Sequence, residues 1–176
     1  MNNIQAGDIL AIRGKGWLSR QILRATGNTV SHVGLVLAEG AVSGSAFVIE
    51  ALSRVKTDTL SQSIADAEKA YILSPLNLTD EQRQKITDTA AGFSTRSYGY
   101  FDIGLQWLDA VFGSRWFTDH LGWGLNDHPI CSYVVAASYA SIGLTFGKVQ
   151  NDSITPADIY KFAVSNPTKY SVKEIK

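Results

Sequence analysis

One cysteine stands in this chain, and its neighbours constrain what it can do. Cys131 heads the run Cys131-Ser132-Tyr133-Val134-Val135-Ala136-Ala137, two residues after Pro129. Proline stops a helix arriving from upstream, and the run that continues through Tyr139, Ala140 and Ile142 has too few polar breaks for a surface segment. The spacing therefore predicts a buried helix with the cysteine in its first turn. Backbone N–H groups are unpaired there and the helix dipole is positive, so a thiolate in that turn is stabilised. Position alone leaves two readings open, an activated nucleophile or a small buried hydrophobe. Other residues have to decide.

A single core is expected over residues 1–176, since 45% of the 176 residues are hydrophobic and a chain of this length fits one domain. Sixteen Lys plus Arg balance sixteen Asp plus Glu, which removes the electrostatic footprint of a nucleic-acid binder. One cysteine cannot close an internal disulfide, so the chain suits a reducing compartment. The start Met1-Asn2-Asn3-Ile4-Gln5-Ala6-Gly7-Asp8 shows no basic cap and apolar core of a signal peptide, and no apolar run approaches the ~18–20 residues of a transmembrane span. A cytoplasmic protein is the default expectation, with export by a signal-independent route open and the oligomeric state not readable.

Along the chain, Gly7-Asp8 reads as a turn and Ile9 to Ile12 as a buried strand. Trp17, Leu18, Ile22, Leu23 and Ala25 fall on one helical face, closed by Gly27-Asn28. Ser31 to Leu37 and Phe47 to Leu52 are two strands joined by a loop rich in Gly and Ser. Ser53 to Asp58 reads as a strand edge, Leu60 to Lys69 as a short polar helix and Ala70 to Leu73 as another buried strand, for a sheet of at least four strands. Thr79-Asp80-Glu81-Gln82 is a capping box opening a helix to Ser94, and Thr155-Pro156-Ala157-Asp158 opens a last helix. Lys169 to Ile175 can add a terminal strand.

His32 and Glu50 interrupt the two hairpin strands. A direct pairing of the two centres the turn on Ala41, within about a residue of the loop suggested by composition, which makes them cross-strand neighbours on one face. Each alone is as readily a solvated strand end. A carboxylate that can hold an imidazole, together with a thiol at a helix start, forms an activated-nucleophile set. His120, His128 and Cys131 lack the second cysteine or paired histidines of a metal site, so neither metal nor other cofactor is expected. Tyr98, Tyr100, Phe101, Trp107, Phe112, Trp116, Phe117 and Trp123 precede the cysteine densely enough to wall an apolar pocket or to serve as ordinary core.

Gly7-Asp8-Ile9-Leu10, Ser31-His32-Val33-Gly34-Leu35-Val36, Val48-Ile49-Glu50-Ala51, Tyr98-Gly99-Tyr100, Cys131-Ser132-Tyr133-Val134-Val135 and Thr155-Pro156-Ala157-Asp158-Ile159 follow one another in an order that resembles the circularly permuted, papain-fold branch of the NlpC-type cysteine hydrolases, the bacterial YiiX/YebB-like group. The resemblance spans nearly the whole chain. It implies an α+β, papain-like fold in permuted order, with an antiparallel central sheet packed against helices that include the one bearing the cysteine. By the same match Cys131 is the nucleophile, His32 the base and Glu50 the group that orients it. A Tyr-Asp pair common in such relatives is Tyr98-Gly99 here, and Tyr98 is carried over only as a substrate-binding candidate.

Such a set performs acyl transfer through an acyl-enzyme. The resemblance points first to an amide bond of a cell-wall-type peptide, and second to a lipid or other acyl ester or amide, cleaved or transferred. A third reading, from a different class, is a binding module for peptide or lipid in which the thiol is idle.

Overall fold

In the computed structural model residues 4–26, 29–39, 45–51, 55–94, 131–147 and 154–176 are described. Six strands form one sheet: β1 Ile9–Gly14, β2 His32–Ala38, β3 Phe47–Ala51, β4 Val55–Thr59, β5 Ala67–Pro75 and β6 Tyr170–Glu174. Their spatial order is β4-β3-β2-β1-β5-β6, and every neighbouring pair is antiparallel. The helices among the described residues are α1 Trp17–Thr26, α2 Leu60–Ser63, α3 Asp80–Ser94, α4 Cys131–Ala140 and α5 Pro156–Ser165. The fold is mixed α+β.

Strand alternation sorts the core into two faces. Ile9, Ala11, Val33, Leu35, Ile49, Ala51, Tyr71 and Leu73 point to one side, where they meet Ile86 and Ala90 of α3, Val134, Val135 and Tyr139 of α4, and Ile159 and Ala163 of α5. Leu10, Ile12, Val36, Val48, Ala70 and Ile72 point to the other, joined by Ala46, Leu60 and Ala67. Burial on both faces explains why β1 and β2 read as near-continuous apolar runs rather than alternating ones. Each such aliphatic side chain contributes roughly 1.5–3 kcal/mol when fully buried, so α4 is held by its own apolar face. A polar clamp adds to it: the Tyr139 hydroxyl donates to the Gly7 carbonyl over 2.6 Å, in a turn where Gly7 adopts a φ of 83°.

The expected elements are present with three differences. The polar helix anticipated over Leu60 to Lys69 is one turn, Leu60–Ser63, capped by Thr59 and Gln62; the rest belongs to β5, because Ala67 and Lys69 pair with Gly14 and Arg13 of β1. Tertiary pairing overrides the local polarity. The sheet has six strands rather than the minimum of four, with β4 at the edge as expected. The third difference concerns the hairpin. Glu50 lies opposite Gly34, not His32, so the direct pairing of His32 with Glu50 is corrected to a diagonal one; the irregularity between Val36 and Ala38 belongs to the same shifted hairpin. A slip of two leaves both side chains on one face.

The capping box at Thr79 and the Thr155-Pro156 helix start are as read, with Gln82 N–H donating to Thr79 Oγ1 over 3.3 Å and Thr155 capping α5. Gly27-Asn28, the hairpin loop over 40–44, Tyr98 with the aromatic segment, His120, His128 and Pro129 lie outside the described residues. Among the described residues no helix is long and apolar enough to cross a membrane.

Candidate functional site

The site is assembled at the start of β2. His32 is the first residue of that strand, Glu50 comes from β3 beside it, and Cys131 comes from the first turn of α4, which packs across β2. Glu50 shares its face with Val48, whereas Cys131 packs against the opposite core. The three groups therefore meet at a strand end, where a ring can be reached from both sides.

Glu50 is 2% exposed, and its Oε1 lies 2.9 Å from His32 Nε2. A buried carboxylate without a partner is strongly unfavourable, so the imidazole is its counter-group. With Nε2 taken, Nδ1 is the ring nitrogen left for the sulfur. Cys131 is within hydrogen-bonding contact of the ring and remains partly exposed. His32 is brought together with both partners, 99 and 18 positions away in sequence.

The electrostatics follow from this contact. Burial is the largest influence on His32 and favours the neutral ring, but the Cys131 sulfur and then Glu50 outweigh it, and the imidazole is pushed up to about 10. Burial is also the largest influence on Cys131, favouring the thiol; the His32 charge and hydrogen bond, with the backbone N–H groups of Val33 and Ser132, overcome it and bring the thiol below its ordinary value. Both shifts run toward a thiolate facing an imidazolium. A thiol shifted that way is a candidate nucleophile, beside a group with a proton to give.

Three features were not anticipated. The Val33 N–H aimed at the sulfur is a backbone group and leaves no signal in the sequence. The Ser132 hydroxyl is fully buried and has no hydrogen-bond partner among the described residues. Gly34 is closely approached by the side chain of Glu50; a glycine inside an apolar strand is a sign of close approach that could have been read.

The class defined so far is a six-stranded antiparallel α+β protein with a thiol, an imidazole and a carboxylate in contact at one strand end. No protein-family model matches the sequence, and no curated protein matches it. Among solved structures it is similar to the crystal structure of metalloprotein yiiX from Escherichia coli O157:H7, described as DUF1105, with a TM-score of 0.67 and 20% sequence identity over 97% of each chain. That likeness gives the fold.

Proposed function

We propose that this chain is a single-domain cysteine hydrolase of the permuted papain-like type, with Cys131 as nucleophile, His32 as base and Glu50 as orienting group. The observation that carries the reading is the continuous contact from Glu50 through the His32 ring to the Cys131 thiol. The Cys131 thiolate attacks an acyl carbonyl, and His32, holding the proton, gives it to the leaving amine or alcohol. A water then enters, His32 takes its proton, and the thioester is cleaved to acid and free thiol. The Val33 and Ser132 N–H groups that face the sulfur are the candidates to receive the oxyanion. Tyr98 stays a candidate for substrate contact.

An amide bond in a small cell-wall-type peptide is the first substrate class, and a lipid or other acyl ester or amide the second. The structural neighbour is described as a metalloprotein. Among the described residues of this chain no group of three or more His, Cys, Asp or Glu side chains is placed to hold a metal ion, and His32 and Glu50 engage each other. The test is a panel of muropeptide fragments and acyl esters, incubated with the parent protein and with Cys131→Ser and followed by mass spectrometry. Turnover by the parent alone is the expected result. Turnover of any member at equal rate by Cys131→Ser would remove the cysteine from the chemistry.

A further inference from the structure

Glu50 reaches His32 by an indirect route. It leaves β3 opposite Gly34, two residues along β2 from the imidazole, and diagonal neighbours in an antiparallel pair have backbones roughly 7–8 Å apart. To set Oε1 at 2.9 Å from Nε2, the side chain has to run over the backbone of Gly34. A Cβ built on Gly34 would stand 2.9 Å from Glu50 Cγ, 2.9 Å from Val48 Cγ1 and 3.0 Å from the Ile49 carbonyl oxygen, closer than side-chain carbons normally approach. Gly92, by contrast, has nothing within 4 Å of such a carbon.

Conformation does not account for this glycine. Its φ is not in the left-handed region, since among the described residues only Gly7, Gly143 and Gly147 have positive φ, and a glycine in a strand interior weakens the strand. What position 34 requires is space. Val48 closes the far side of that space and Ile49 its floor, so the carboxylate chain is confined to the path that ends at the imidazole.

We propose that Gly34 is a positioning residue: its absent side chain is the slot through which Glu50 crosses β2 to hold His32. The inference rests on the thiol, imidazole and carboxylate acting as one unit. Filling the slot displaces Glu50 from the ring, the ring loses the partner that favours its protonated form, and the thiolate loses part of its stabilisation.

The test uses iodoacetamide alkylation of Cys131 across pH, which reads the thiolate without requiring turnover. Gly34→Ala is expected to raise the alkylation midpoint toward that of Glu50→Ala and, at pH values well below the parent midpoint, to slow alkylation roughly tenfold, the consequence of a midpoint shift of about one unit. In a Glu50→Ala background the same glycine change is expected to add no further shift. A folded Gly34→Ala protein with the parent midpoint overturns the proposal, as does an undiminished shift in the Glu50→Ala background. Should Gly34→Ala fail to fold, Gly34→Ala with Val48→Ala relieves the second close contact and is measured instead. If that variant also fails, recovery of folding on adding Glu50→Ala locates the clash at Glu50, whereas no recovery makes the glycine a matter of backbone clearance and overturns the proposal. A parent protein whose cysteine titrates normally defeats the hydrolase reading itself; an activated parent insensitive at position 34 defeats only the slot.

Discussion

The sheet carries two buried acid–base pairs that look alike and behave differently. Asp8 and Arg83, 0% and 12% exposed, meet at 3.2 Å; Glu50 and His32, 2% and 13% exposed, meet at 2.9 Å. Around Asp8 the hydrogen bonds are closed. Its carboxylate accepts from Arg83, from the Ser74 hydroxyl at 2.7 Å and from the Gln5 N–H at 3.2 Å, while Arg83 also donates to the carbonyls of Ala6 and Pro75. A guanidinium keeps its proton at any pH a protein meets, so this cluster has one protonation state on its cationic side and serves to tie α3 to β1 and β5. His32 can lose its proton, and its second ring nitrogen faces a thiol that can lose one too. On the proposed reading, the pair whose cation cannot titrate is structural and the pair whose cation can titrate is reactive.

The strongest way to break the comparison is at the thiol. Cys131→Ser is expected to abolish turnover while changing stability by no more than about 1 kcal/mol, since the replacement is nearly isosteric; His32→Ala is expected to fall close behind, by on the order of 10³-fold, because base and nucleophile act as a unit. Rates on the responsive substrate and a thermal melt check both. Asp8→Ala should show the opposite pattern. It leaves Arg83 buried without its partner and is expected to cost about 3 kcal/mol of stability, measured by urea denaturation, with the Cys131 alkylation midpoint unmoved.

Glu50→Gln is intermediate. An amide can still hold the ring but no longer balances an imidazolium, so a fall in rate of roughly 10- to 100-fold is expected, smaller than for Cys131 or His32. If Glu50→Gln were the most damaged of the three, the roles would be misassigned. Ser132→Ala gives the smallest effect: removing a buried hydroxyl that has no partner among the described residues is expected to raise stability by up to about 1 kcal/mol, with turnover unchanged. Lost turnover with a normal melt would place that hydroxyl on the substrate.

Much of this arrangement was legible beforehand for a physical reason. Buried helices and strands are written in apolar periodicity, which is why the first strand, the Cys131 helix and the capped starts of α3 and α5 read correctly. The His32 strand and its antiparallel neighbour also followed, since a short Gly- and Ser-rich connection permits little else. Register was less legible. Parity placed His32 and Glu50 on one face, but a two-residue offset preserves parity, so the diagonal contact and the slot at Gly34 were hidden. The strand start at Ala67 was hidden as well, because its polar neighbours Glu68 and Lys69 are exposed in the sheet and look helical in isolation.

The pH dependence of Cys131 alkylation tests the central claim most directly. Because the thiol is lowered and the imidazole raised, labelling is expected to persist below the ordinary thiol midpoint of about 8.5 and to fall as the pH drops through the depressed one. Turnover of a responsive substrate should show that acid limb and also an alkaline limb as the imidazolium loses its proton toward about 10. In His32→Ala the labelling midpoint should move up toward the ordinary thiol value of about 8.5. A parent cysteine that already titrates there, with no change on removing His32, would contradict the account.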